Sequence, residues 1–477
     1  MEKLMQYVWQ HRLWESQGLT TVDGKRIRVI DPGVLNTDAG PDFFNAKIEI
    51  DREMWVGNVE IHVRASDWFR HHHDSDPAYD SVILHVVDKD DAPVMRSNGE
   101  VIPQCEMHCS VHFNERYRQF IESSSQLMCG TEIASTPHIT ITEWVEALAF
   151  ERLQGKADKA KELLKAFSGS WEDVCYVTLA RNLGFGINND AFERLARRTP
   201  LRLVAKHSDS LTQIEALLFG NAGLLDPNLH RGDSYYQSLC REYAFLANKF
   251  DLRPLEGTIW KMFRVRPQGF PHRRIAMLAQ MLHGGFGLFT NIIEADGEPA
   301  LRSLFDINLT GYWATHYSFD SPTATAQKAL SRSSVDIILI NTVAPLFYAY
   351  GESIDNYDTT LRAIQLLESL KPERNNIVQL FEKCGLKADS ALVSQALIQL
   401  RRNYCEARKC IYCRIGHKLL SIAAMTKKPP MNLTEAHTPL GASVSKPPQV
   451  CSSPRASDMS VADWRSAAFA LRRWRSR

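Results

Sequence analysis

The hydrophobic pattern of this chain changes period once, and that change divides what the chain can build. Before about residue 130 the apolar residues alternate in short runs: Ala46, Ile48 and Ile50 against Lys47 and Glu49, then Val59, Ile61 and Val63 against Glu60 and His62. A period of two belongs to a strand with one buried face. From Thr140 onward the apolar residues recur at helical spacing instead. The predicted fold class is therefore α+β, with a small mixed α/β domain over 1–130 and a larger, mainly α-helical domain over 137–424.

Further signals fill in the order of elements. Leu4, Met5, Val8, Trp9 and Leu13 predict an amphipathic opening helix over 3–16. A strand over 26–30 ends at the turn Asp31-Pro32-Gly33, and the run 81–87 is apolar enough for a central strand covered on both faces. Between 65 and 80 there is room for a crossover helix. Asn98-Gly99 marks a hairpin turn. Thr140-Ile141-Thr142-Glu143 has the form of a capping box opening a helix to 167, and further helices are expected over 171–182, 211–219, 273–282 and 391–404.

Charge becomes informative once it is divided by region. The chain carries 56 Lys and Arg against 55 Asp and Glu, but residues 425–477 hold nine basic and three acidic groups, leaving the rest at −5. That proline-rich basic tail cannot build a core and is expected to be disordered. A chain-wide basic surface for nucleic acid is absent, so any such contact must be local. The start MEKLMQYVWQ has no apolar run of a signal peptide, and the uncharged stretch 337–350 falls short of the roughly 18 residues that span a bilayer. The expectation is a cytoplasmic protein with reduced thiols and no membrane contact.

The stretch most suggestive of chemistry is 40–87. Glu60 and His62 are two apart on a strand and so share a face, and a hairpin would bring Asp42 near that face. Two carboxylates and a third polar group at a strand bend suit a divalent metal. Pro41-Asp42, a 17-residue gap and Glu60-x-His62 together resemble the signature of the PD-(D/E)XK nuclease superfamily, with His in place of its usual Lys. The order of elements agrees with that resemblance, which covers about residues 1–110 and implies a restriction-endonuclease-like domain. It also implies that Asp42 and Glu60 hold Mg²⁺ or Mn²⁺, with His62 at the position that orients water. Glu15 resembles an additional acidic ligand found in some members. More broadly, segments such as NTDAGPDFFNA (36–46), GNVEIHVRASDW (57–68) and EALLFGNAGLL (215–225) are similar to a bacterial family known only as a domain of unknown function.

Around this core lie Asp67, His71, His72, His73, Asp74 and Asp76, with His85 on the next strand. His73, Asp76 and His85 are candidates for further ligands or a general base. His71 and His72 read instead as a solvated helix end. Farther on, Cys405, Cys410, Cys413 and His417 fall within 13 residues. Their spacing suits a structural zinc; an iron–sulfur cluster is the alternative and would require a fourth thiol such as Cys384. The segment WKMFRVRPQGFPHRR places Lys261, Arg264, Arg266, Arg273 and Arg274 among Trp260, Phe263 and Phe270, as contact with DNA or RNA would require. Phosphate-loop, serine-hydrolase and zincin motifs are absent. The expected function is a metal-dependent nuclease; the alternative is a non-catalytic nucleic-acid- or protein-binding scaffold.

Overall fold

Alternation in the first hundred residues produces a mixed sheet in the computed structural model, which describes residues 1–14, 18–36, 38–108, 111–226, 233–263, 265–285, 287–323 and 329–425. Helix α1 (Glu2–His11) is followed by β1 (Leu19–Thr20), β2 (Arg26–Asp31), β3 (Val34–Leu35), β4 (Phe43–Ile50), β5 (Glu53–Arg64), β6 (Val82–Lys89) and β7 (Gln104–Glu106). The main strand order is β1-β2-β4-β5-β6-β7, with β3 paired to β4. The pairs β2/β4 and β4/β5 are antiparallel, whereas β5/β6 and β6/β7 are parallel.

Two backbone features shape the β4–β5 hairpin. Its turn holds Asp51 and Arg52 at φ 46° and 76°, the pair of left-handed residues that matches the twist of the strands it joins. At the other end the register shifts between Phe43 and Ala46, with Asn45 at φ 56°. This bulge bends the entrance of β4 and directs Asp42 toward β5.

Residues 65–81 connect β5 to β6. The expected crossover helix is reduced to one turn, α2 (Asp67–Arg70), and a 3-10 turn over Pro77–Tyr79. His72 at φ 60° stops the helix, and Asp76-Pro77 prevents it from restarting. Trp68 anchors the crossover: it is fully buried with Ala65, Val82, Val87, Val94 and Ile102, and its Nε1 donates to the Met95 carbonyl at 3.1 Å. The Asn98-Gly99 turn forms, closing a bridge between Met95 and Val101.

After α3 (Val111–Glu122) the chain is mostly helical. The long helix α4 (His138–Ala166) begins after Pro137 with no side-chain cap, so the expected capping box is not used. Helices also form at Trp171–Leu183, Leu211–Asn221 and Pro271–Leu282. Ala391–Gln399 continues into a wide turn over Leu400–Cys405. The uncharged stretch lies within a 22-residue helix, Arg332–Ser353, long and apolar enough to cross a membrane; 72% of its apolar window is buried inside the protein. One hydrophobic core runs from Leu4 to Leu420 and joins the sheet to the helices. Met1–Thr426 forms one unit, and the basic tail expected from 425 lies outside the described residues from 426.

Candidate metal centre

The parallel register of β5 and β6 sets one side of the site. Glu60 pairs with His85 and His62 with Val87, so the Glu60, His62 and His85 side chains share one sheet face. His62 Nδ1 lies 2.9 Å from His85 Nε2. The crossover supplies His71 and His73: His62 Nε2 is 3.1 Å from His71 Nδ1, and Glu60 Oε1 is 3.5 Å from both His62 Nε2 and His73 Nε2. One ring nitrogen from each of His62, His71 and His73 lies within 4.8 Å of the others. Tyr79 stacks on His73 with ring centroids 3.7 Å apart.

The β4 bulge and α1 supply the other side. Asp42 Oδ2 accepts from the Ile61 N–H at 3.1 Å, and Asp42 Oδ1 accepts from Gln6 Nε2 at 2.8 Å. The Asp42 N–H in turn donates to Glu60 Oε2 at 2.9 Å. Asp42 is half-buried, whereas Glu60 is 5% and His62 1% exposed. The strand face carrying Glu60 and His62 is thus covered, and exposed His71 marks the open side of the cluster.

Burial dominates the electrostatics. It pushes the Asp42 carboxyl up to about 7, with the Glu60 charge adding to the effect, and raises Glu60 to about 8 against the lowering effect of the Asp42 N–H. Burial also holds His62 well below its ordinary value, aided by His85, His73 and His71, and draws His85 down to about 3. Neutral imidazoles are what a metal requires as ligands, and two crowded carboxylates gain most from a nearby dication.

One tautomer fits this: were His62 Nδ1 to carry the proton and donate to His85 Nε2, the His62 Nε2 lone pair would face Glu60 and His71. A partner on the far nitrogen is the usual support for a ligating imidazole. His85 Nδ1 is buried without a hydrogen-bond partner in this structure.

The candidates from sequence separate clearly. Asp42, Glu60, His62, His73 and His85 come together. Asp76 is exposed and caps the 3-10 turn by accepting from the Ala78 N–H at 2.9 Å, although its charge still bears on His73. Glu15 lies outside the described residues. The acidic group that α1 turns toward the site is instead Glu2, whose charge raises both carboxylates. Sequence reasoning passed over His71; the signal was the pair His71/His73, flanking a residue that reverses the backbone. Asp67 accepts from the Arg64 N–H at 3.2 Å and pairs with Arg70, a structural role.

The two distal constellations are revised. His417 does not join the cysteines: its Nδ1 is hydrogen-bonded to the Tyr7 hydroxyl, and its ring packs against His11. Arg273 is fully buried, donating to the Trp313 and His316 carbonyls at 2.9 and 2.8 Å. Arg274 is buried over the Phe185 ring, and Trp260 is a core residue donating to the Ala222 carbonyl. None of these three is placed to meet a phosphate or a base. Lys261, Arg266 and Phe263 are exposed, and Arg264 lies outside the described residues.

Fold and site together define an α+β protein carrying a carboxylate and histidine cluster on its sheet. The chain belongs to the family described as Protein of unknown function (DUF2851), which matches residues 2–376. Neither the curated proteins nor the solved structures provide a match.

Proposed function

We propose that this protein is a metal-dependent hydrolase of phosphodiester bonds in nucleic acid. The observation that carries the reading is the convergence of Asp42 and Glu60 with the ring nitrogens of His62, His71 and His73 on one sheet face. The helix, strand, hairpin, crossover and strand order around it supports the reading, because the PD-(D/E)XK resemblance places its Asp, Glu and water-orienting residue at these positions. Glu60, His62 and His73 would hold the ion, with Asp42 completing the carboxylate pair. When bound, such an ion polarises the scissile phosphate and lowers the pKa of its water. His71, on the open side, accepts the proton of the attacking water.

Imidazole ligands favour Mn²⁺ or Zn²⁺ over Mg²⁺, a departure from a purely carboxylate site. The eight described cysteines are free, in keeping with a reducing compartment such as the cytoplasm. The test is cleavage of labelled single- and double-stranded DNA and RNA by the purified protein with each of the three ions. Loss of cleavage in Asp42→Ala and Glu60→Ala is expected, and undiminished activity in both would overturn the assignment. A second reading, a non-catalytic nucleic-acid- or protein-binding scaffold, is favoured by the near-complete burial of Glu60 and His62. It predicts salt-sensitive binding without cleavage, reduced when Lys261 and Arg266 are neutralised.

A further inference from the structure

Within the helical region two cations share one neutral oxygen. Arg152 and Lys156 are four apart on α4 and so lie on one face of it. Arg152 Nε and Lys156 Nζ both donate to Gln395 Oε1, each at 2.6 Å, and Lys156 Nζ also donates to Asn341 Oδ1 at 2.8 Å. Neither cation is ion-paired with a carboxylate among the described residues, whereas Lys161 on the same helix pairs with Glu352. Glu373 is linked to them through Gln395, whose Nε2 donates to its carboxylate. Burial draws Lys156 down to about 7, with the charge of Arg152 adding to the effect and Glu373 opposing it.

The amides that hold these cations are themselves fixed. Asn341 sits in a wide turn, Leu339–Val343, inside the helix Arg332–Ser353. Its carbonyl accepts from Asn182 Nδ2 at 2.8 Å and its Nδ2 donates to the Ile337 carbonyl at 3.0 Å, which leaves Oδ1 for Lys156. Wide turns inserted in helices recur at functional sites. Gln395 is 3% exposed, and with its nitrogen bound to Glu373 its oxygen is committed to the cations. Arg152, Lys156, Asn341 and Glu373 are only half-buried, so the group can be reached from solvent.

Donors outnumber acceptors here. Lys156 has three N–H groups and uses two, while Arg152 Nη1 and Nη2 make no hydrogen bond among the described residues. Gln395 Oε1 already accepts two bonds. A ligand that suits these groups is an acceptor without protons of its own, and two half-buried cations lacking a direct counter-ion suit a double negative charge. The outer edge of a guanidinium matches two oxygens of one phosphate. We propose that Arg152 and Lys156, positioned by Asn341 and Gln395, bind a small phosphate dianion, either inorganic phosphate or a phosphate monoester. The site lies where α4 meets the helices Arg332–Ser353 and Ala391–Gln399, and it is independent of the hydrolase reading.

The test uses the full chain in EDTA, so that no ion at the histidine cluster contributes. Calorimetry with inorganic phosphate should show one saturable site per chain with a dissociation constant at or below about 1 mM. Glycerol 3-phosphate is the second arm: tighter binding than inorganic phosphate identifies an ester as the ligand, and weaker binding identifies free phosphate. Arg152→Gln and Lys156→Met should each weaken binding about 10- to 100-fold. A second measurement needs no variant: phosphate should slow acylation of the Lys156 amine, read by peptide mass spectrometry, and leave exposed Lys159 unchanged. Absence of saturable binding of either phosphate, acetate binding as tightly as phosphate, unchanged affinity in both variants, or no selective slowing at Lys156 would overturn the proposal.

Discussion

Glu60→Gln isolates what the cluster costs the protein without its metal. In chelator, the buried Glu60 carboxyl keeps its proton up to about pH 8, whereas the unfolded chain ionises it near its ordinary value of 4.5. Between those limits the folded state binds more protons than the unfolded one, so stability is present at low pH and lost as pH rises. Glutamine mimics the protonated acid and does not titrate. Asp42 and the histidines remain in both proteins, so their contributions largely cancel in the difference. From pH 5 to pH 7 the wild type should lose about 3 kcal/mol relative to the variant, at roughly 1.4 kcal/mol per pH unit. Because Asp42 and Glu60 titrate as a pair, that slope of about one proton is a property of the pair. The assay is urea denaturation followed by tryptophan fluorescence at one-unit pH steps in EDTA. Adding Mn²⁺ at about 100 times its dissociation constant should return roughly 2.7 kcal/mol to the wild type and little to the variant. A wild-type-minus-variant difference that stays flat from pH 5 to pH 8 would refute the buried, proton-holding carboxylate.

Three other substitutions probe different parts of the structure. His85→Ala keeps every proposed ligand but removes the partner of His62 Nδ1, so Mn²⁺ or Zn²⁺ affinity measured by calorimetry should fall about 10- to 100-fold. Gly416→Ala drives a Cβ into the Cys410 carbonyl and should cost about 1–3 kcal/mol, seen as a lower melting temperature. Arg273→Ala strips two carbonyls of their donor and should destabilise by about 1–3 kcal/mol. That same variant should leave the salt dependence of nucleic-acid binding unchanged, whereas neutralising exposed Lys261 and Arg266 should flatten it.

What the sequence disclosed follows the range of the forces involved. Strands β4 and β5 were legible because alternation is a local pattern, and the common face of Glu60 and His62 followed from strand geometry alone. Their burial was not legible, since it depends on His71 and His73 folding back from the crossover. His71 read as a helix end because nothing local announces that His72 adopts a positive φ and turns the rings on either side of it toward β5. Arg273 and Arg274 show the reverse error: their charge is visible in the sequence, but their carbonyl and aromatic partners come from other elements.

The helix α1 links the carboxylate pair to the last helix through adjacent residues. Gln6 donates to Asp42, and Tyr7 is bound to His417 on the last helix, whose first turn follows Cys413. Side chains one position apart on a helix project about 100° from each other, so α1 stands between the carboxylates and the C-terminal end as a rigid spacer. Its other anchors are fully buried, including Trp9, whose Nε1 donates to the Pro32 carbonyl. In a close-packed interior, a shift of the last helix is therefore passed to α1 and on to Asp42. Loss of cleavage in a cysteine variant is thus no measure of catalysis by a thiol.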